Sequence, residues 1–169
     1  VEVRVQPGKA DSPGVSPGKF SDKDVAFGLA RGVDGKEVGA LEKFKGKAEI
    51  PPPGIVSRLG PDSQKKFSQA GFDSIERNGI IAEGTIAFAK EQLGKTGGQL
   101  RFSLRGFSVE QALTPGSQQF HRITSAELRG ILSDPFFSGR VQFYDANGKD
   151  VTAQTLRDAQ RLLKNAKGQ

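Results

Sequence analysis

The chain contains a single histidine, His121, within the stretch QFHRITSAEL at residues 119–128. An imidazole can take up or release a proton near neutral pH, which suits it to general acid or base catalysis. Arg122 follows it directly, and two hydroxyl side chains, Thr124 and Ser125, come next. A base, a guanidinium and hydroxyls this close together could act on a phosphodiester, where a base removes the 2′-OH proton of RNA and cations stabilise the phosphorane.

Between residues 101 and 140 the chain has arginines but no lysine, although lysine is common elsewhere. A guanidinium binds phosphate through a planar fork of donors and keeps its charge when partly buried. We therefore assign phosphate or RNA binding to Arg101, Arg105 and Arg140. The alternative is a solvated face on which these arginines form ordinary ion pairs with nearby carboxylates: Glu110, Glu127 and Asp134.

The predicted catalytic group also includes Tyr144, the only tyrosine. It shares a predicted strand face with Arg140, where it could stack on a base or donate a proton. The full set of predicted catalytic residues is His121, Arg122, Thr124, Ser125 and Tyr144. Structural roles stay open for three of them: a hydrogen-bonded strand residue for His121, a helix cap for Thr124 and a rim aromatic for Tyr144.

The amino-acid composition excludes several kinds of metal and catalytic site. The chain has no Cys and one His, which excludes zinc–thiolate centres, iron–sulfur clusters, Cys nucleophiles and multi-histidine metal sites. We expect no metal and no other cofactor. The formal net charge of +6 favours acidic partners such as nucleic acid. No apolar run approaches the roughly 20 residues that a membrane span needs.

Three predicted strands position these side chains. The alternation in QLRFSLRGF, residues 99–107, predicts a half-buried strand with Arg101 and Arg105 on its outer side. QFHRI, residues 119–123, reads as a second strand. RVQFY, residues 140–144, is predicted to form a third strand with Tyr144 on its outward face. A turn at Asp-Ala-Asn-Gly is predicted to follow it.

Helices are predicted before, between and after the strands. One runs from Asp62 or Ser63 to Ala70, and a longer one covers residues 73–93 with an interruption near Gly79 or Gly84. Thr124 and Glu127 match a capping box for a helix over SAELRGIL. VTAQTLRDAQRLLKNAKG predicts a final helix, and SDKDVAFGLARG and KEVGALEKF predict two short early ones.

These elements predict an α+β fold. Its N-terminal helices precede a small, mainly antiparallel sheet with inserted and C-terminal helices, and a Pro/Gly-rich segment leads into it. Residues 1–19 are rich in Pro, Gly and Ser, and Pro-Pro-Pro-Gly at 51–54 breaks any regular element. We therefore divide the chain into residues 1–59, a linker with a small helical segment, and residues 60–169, a compact domain.

The run FHRITSAELRGIL followed by GRVQFYDANGKDV resembles the C-terminal toxin regions of bacterial polymorphic and contact-dependent inhibition proteins. Such regions often carry a TS-x-EL segment and then an FY-x-x-NG hairpin, and the likeness covers about a quarter of the chain. The missing start Met, the Pro/Gly-rich basic lead-in and the basic C-terminal domain agree with this resemblance. We expect the chain to be part of a longer polypeptide.

The resemblance implies a secreted or cell-surface bacterial toxin whose last domain acts in the cytoplasm of a target cell. Many such domains are similar to the metal-free ribonuclease superfamily that includes barnase and RelE, and many cleave tRNA. It also implies an acidic cognate immunity protein, a monomer when active, and a role for residues 1–59 in cell entry. These functions are carried over by analogy with the fold and not residue by residue.

Two alternatives remain open. The same arginine face could belong to a non-catalytic module that binds nucleic acid or an acidic protein. A toxin with other chemistry, such as ADP-ribosyl transfer, could also use arginine and serine on a strand. Growth arrest on expression separates the toxins from the binding module, and the reaction product separates the two toxins.

Overall fold

The structure is a computed structural model, and it describes residues 21–29, 36, 38–41, 44, 48–52 and 54–167. Its strands are β1 (Val25–Gly28), β2 (Leu100–Ser103) and β3 (Val141–Tyr144). Its helices are α1 (Pro61–Gln69), α2 (Ile75–Thr96), α3 (Val109–Leu113), α4 (Ile123–Ser133) and α5 (Thr152–Lys167). Two short 3₁₀ helices cover Ile55–Arg58 and Pro135–Phe137. This mixture of helices with a small sheet confirms the predicted α+β class in its coarse form.

The sheet is parallel, so the prediction of a mainly antiparallel sheet was wrong. β2 is the middle strand, and it pairs in parallel with β1 on one side and β3 on the other. Parallel neighbours need a crossover between them, and helices supply it both times. The chain passes through α1 and α2 between β1 and β2, and through α3 and α4 between β2 and β3.

One face of the sheet carries the main apolar core. The register aligns the inward side chains in two rows, Val25 with Leu100 and Val141, and Phe27 with Phe102 and Phe143. Helices α2, α3, α4 and α5 all contribute buried apolar side chains to the same core. This packing fixes α2 and α4 against each other on the helical side of the sheet.

The second face is also covered, so the predicted outward faces of β2 and β3 are wrong. Arg101, Gln142 and Tyr144 are all buried there. Phe44 packs edge-on against Tyr144 with ring centroids 5.8 Å apart. A side chain at Gly28 would meet Leu41 at 3.1 Å, which shows how closely this early segment approaches the sheet. Alternation alone cannot reveal such a cover, because it reports only that two faces differ.

The residues that read as a second strand, 119–123, form a turn leading into α4. Helix α4 begins at Ile123 with Arg122 as its N-cap, and no side chain caps it. The predicted capping box is therefore wrong, because Thr124 and Glu127 are buried inside the helix. Helix α4 ends at Ser133, and the Asp134 side chain that follows accepts from the backbone N–H of Phe136 and starts the next 3₁₀ turn.

Helix α2 is continuous, although an interruption near Gly79 or Gly84 was predicted. It ends at Gly97, whose φ of 71° is the left-handed conformation that favours glycine at a helix end. Gly84 serves packing, since a Cβ there would lie 3.1 Å from the side chain of Ile55. The predicted helices at residues 62–70 and 151–168 are observed as α1 and α5, shifted by a residue or two.

The early part of the chain holds a strand where a helix was predicted. Residues 25–28 of SDKDVAFGLARG form β1, and β1 pairs along its whole length with β2. The sheet therefore combines β1, which precedes the predicted boundary at residues 59 and 60, with β2 and β3, which follow it. The lead-in 1–19 lies outside the described residues, as do Glu37, Glu42 and Lys43 of KEVGALEKF, and the described residues 36 and 38–41 of that stretch form no α-helix. Among the described helices, none combines the length and apolar character that crossing a membrane would need.

Candidate active site

The turn between α1 and α2 presents a carboxylate. Ser74 caps α2, because its hydroxyl accepts from the backbone N–H of Arg77 at 3.1 Å. Asp73, just before the cap, has a φ of 55°, a left-handed conformation that Asp tolerates better than most side chains. Its carboxylate accepts from the side-chain amide of Asn78 at 3.0 Å.

The start of α4 brings the histidine to the same place. The buried amide of Asn78 also donates to the backbone carbonyl of His121, at 2.9 Å. Asn78 thereby ties the Asp73 side chain to the backbone that carries the imidazole. His121 Nε2 lies 3.8 Å from Asp73 Oδ2, an ion-pair distance that is too long for a direct hydrogen bond.

Charge and exposure suit this pair for proton transfer. The hydrogen bond from Asn78 lowers the pKa of Asp73, and the positive charges of His121 and Arg122 lower it further. Asp73 is therefore ionised at neutral pH, so a negative charge lies beside the imidazole. The His121 side chain is one-third exposed (33%). Its Nδ1 has no hydrogen-bond partner among the described residues and is not fully buried, so the imidazole is partly open to solvent.

Thr124 and Ser125 do not face this surface. Thr124 is 6% exposed and Ser125 is fully buried. The Ser125 hydroxyl has no hydrogen-bond partner among the described residues. Both side chains belong to the packed side of α4, and the backbone of the first helical turn remains the part of this segment nearest to His121 and Arg122.

Glu127 lies in the interface between α2 and α4 and hydrogen-bonds Thr85. Burial raises the pKa of Glu127 from 4.5 to about 7, although the Thr85 hydrogen bond acts in the opposite direction. The Thr85 hydroxyl also lies 3.0 Å from the carbonyl of Ala82. A hydroxyl has one hydrogen, so if Thr85 donates to Ala82, a protonated Glu127 donates to Thr85. The arrangement fits a neutral carboxylic acid.

Glu127→Gln is expected to remove a pH dependence of stability. An acid protonated in the folded protein but ionised in the unfolded chain costs folding free energy, and this cost grows as pH rises from 4.5 toward about 7. At pH 8 the cost reaches the order of 3 kcal/mol, and below pH 4.5 it vanishes. Urea unfolding at pH 5 and pH 8 should show a much larger gain in stability of the variant over wild type at pH 8 than at pH 5.

Glu83→Gln is the matched control, since Glu83 is an exposed acid on the same helix α2. Its stability should follow that of the wild type at both pH values. If Glu127→Gln proved less stable than wild type at pH 8, the buried carboxylate would be ionised and stabilising, contrary to this prediction.

Arg101 and Tyr144 lie on the far side of the sheet from α4. Arg101 is 3% exposed and pairs with the buried Asp24, with Nη2 3.0 Å from Oδ2. It also donates to Gln142 and, at 2.7 Å, to the hydroxyl of Tyr144. Burial raises the pKa of Tyr144, although Arg101 acts in the opposite direction. These two predicted site residues therefore contact each other and are separated from His121 by the sheet.

Arg105 and Arg140 are exposed, but they lie at opposite ends of the parallel strands. Arg105 follows the carboxyl end of β2, and Arg140 precedes the amino end of β3. The Arg140 guanidinium lies over the ring of Phe136, 4.3 Å from its centroid. Of the eight predicted site residues, the structure brings His121 and Arg122 together at the surface and Arg101 and Tyr144 together in the interior.

Sequence reasoning missed the partners of the histidine. Asn78 and His121 are separated by 43 residues, and no local pattern connects them. The available signal was the pair Asp73–Ser74 before an apolar run, since Ser is a preferred N-cap and Asp tolerates a positive φ. That signal locates the turn but does not show that α4 packs on α2 and places His121 beside it.

Comparison of the chain with protein-family models, with curated proteins and with solved structures finds no match. Among the described residues, no group of three or more His, Asp or Glu side chains could hold a metal ion. The site is therefore interpreted from its own geometry.

Proposed function

We propose that this protein is an endoribonuclease that needs no metal ion and uses His121 as its general acid–base group. The observation that carries the proposal is the reachable imidazole of His121 beside the Asp73 carboxylate, 3.8 Å away, at the start of a helix with no side-chain cap. Arg122 occupies the N-cap position of that helix. A helix N-terminus with an arginine and a histidine favours a bound phosphate.

The proposed reaction is cleavage at an RNA phosphodiester. Nδ1 of His121 takes the proton of the 2′-OH, and the 2′ oxygen forms a bond to phosphorus. Asp73 stabilises the imidazolium, while Arg122 and the first-turn N–H groups of α4 stabilise the charged phosphorane. The bond from phosphorus to the 5′ oxygen breaks, and the imidazolium returns the proton to that oxygen. The products are a 2′,3′-cyclic phosphate and a 5′-hydroxyl.

We further propose a biological setting in which this RNase is the toxin region of a larger secreted or cell-surface bacterial protein. It would act as a monomer in the cytoplasm of a target cell, with tRNA among its substrates. An acidic immunity protein would neutralise it. The resemblance of residues 120–151 to such toxin regions and the net charge of +6 support this setting.

Incubation of the purified chain with a single-stranded RNA in excess EDTA tests the chemistry directly. We expect cleavage products that end in a 2′,3′-cyclic phosphate and a 5′-hydroxyl. Products with a 5′-phosphate would point to attack by water instead of the 2′ oxygen. Cleavage of an all-DNA strand would be incompatible with the mechanism, because DNA lacks the 2′-OH, and intact RNA at high enzyme concentration would remove the catalytic proposal.

A nucleic-acid-binding module without catalysis is the second candidate, and α5 favours it. Three cations lie along one exposed side of this helix, Arg157, Arg161 and Lys164, and they line a shallow groove. Such a basic helix face binds a phosphate backbone without any acid–base group. Salt-sensitive retention of RNA with no cleavage would select this candidate.

A further inference from the structure

A large aromatic ring stands exposed next to the catalytic pair. The side chain of Phe72 is 91% exposed, and Ile75 nearby is 62% exposed. Phe72 immediately precedes Asp73, whose carboxylate faces His121. Phenylalanine is usually buried in a folded protein, so a ring this exposed is available to contact a ligand.

The ring is flanked by positive charge. The guanidinium of Arg77 lies 4.1 Å from the ring centroid of Phe67 and 5.8 Å from that of Phe72. His121 and Arg122 also lie close enough to Asp73 to lower the pKa of its carboxyl group. Two acids belong to the same segment, Asp73 of the α1–α2 turn and the exposed Glu76 in the first turn of α2, so the cations outnumber the acids only when His121 is protonated.

This order of groups matches one nucleotide of a single strand. A nucleic acid alternates flat bases with phosphates, and the surface offers a flat ring followed by a histidine and an arginine. Aromatic side chains bind unpaired bases by stacking and tolerate many base types, because every base has a π-face. In a duplex the bases are already stacked on their neighbours and cannot cover the ring.

We infer that Phe72 is the stacking platform for an unpaired base of the substrate, next to the phosphate that His121 and Arg122 contact. The inference rests on the proposed RNase function and adds its substrate class, single-stranded or looped RNA. Arg77 supports the ring from the side of α2, and the opposite face of the ring receives the base.

Phe72→Trp tests the inference with a binding signal that does not need catalysis. The chain has no Trp, so the variant carries a unique fluorophore at the proposed platform. The probe is a single-stranded RNA ten-mer with 2′-O-methyl groups, which cannot be cleaved through the 2′-OH. We expect saturable quenching of the Trp by this strand. When the same strand is in a duplex, we expect its affinity to be lower by about tenfold or more.

Two further variants sharpen the test. Ile50→Trp is the control, because Ile50 is a partly exposed apolar residue outside the α1–α2 turn. Its fluorescence should not change on saturation with the strand. Phe72→Ala should weaken binding of the strand about 5- to 150-fold in a polarisation assay. Since Phe72 is so exposed, we expect this substitution to leave folding intact.

Each outcome decides the inference. Quenching by the single strand with a loss of affinity in Phe72→Ala supports it. A strand that binds without changing the Trp signal, or a duplex that quenches equally well, overturns it. The proposed function is judged separately, since quenching without cleavage of natural RNA would retain the platform and remove the RNase.

Discussion

His121→Gln is expected to slow RNA cleavage about 10²- to 10⁴-fold, the usual contribution of a positioned general acid or base. Glutamine keeps a polar side chain of comparable reach but cannot exchange a proton near neutral pH. The backbone carbonyl that receives the Asn78 hydrogen bond is unchanged by the substitution. Initial rates on a fluorescent single-stranded RNA, measured beside wild-type protein, give the effect.

Two other substitutions show whether such a loss is specific. Gln118→Ala changes an exposed residue of the same turn and should retain full activity. Asp73→Asn keeps the shape of the side chain but removes the charge that stabilises the imidazolium, so kcat should fall while KM changes little. Undiminished cleavage by His121→Gln would remove the histidine from the reaction and leave the proposed mechanism without its base.

The sequence predicts the elements of this fold better than their arrangement. Alternation located β2 and β3, and apolar spacing located α2 and α5, because these patterns reflect local burial. Capping residues and a terminal glycine located α1. Strand direction is different, since it depends on whether the connecting segments cross over the sheet. Reading residues 119–123 as a strand gave an antiparallel neighbour, whereas α4 begins at Ile123 and completes a parallel crossover.

The sequence identified two residues of the candidate site but not the partners that tertiary packing brings to them. His121 is conspicuous because it is the only histidine, and Arg122 adjoins it. Asp73 and Asn78 become its partners only through the packing of α4 on α2, which no local pattern encodes. Arg101 was placed on an outer face because a charged residue usually faces water. Asp24, which directly precedes β1, pairs with Arg101 on this face, and the early segment with Phe44 covers it, so the guanidinium is buried and paired.

Arg101→Met is expected to destabilise the folded protein by about 3–5 kcal/mol. Methionine fits a similar space but leaves the Asp24 carboxylate buried without its counter-charge, and both Gln142 and Tyr144 lose a donor. Urea unfolding can be followed by far-UV circular dichroism and by the fluorescence of Tyr144, the only tyrosine of a chain without Trp. Arg105→Met changes an exposed arginine four residues further on and should alter stability by at most about 0.5 kcal/mol.

Combining Arg101→Met with Asp24→Asn should recover much of the lost stability, because no ion then remains buried alone. Asparagine can still accept the backbone hydrogen bond from Gln99, which Asp24 receives at 2.8 Å. The same proteins also separate two roles for Arg101. If it holds the sheet together, cleavage per folded molecule will match wild type in the double variant. If it binds phosphate, as its position among the arginines predicted, cleavage will fall even when stability is restored, and the site would have to include the second face of the sheet.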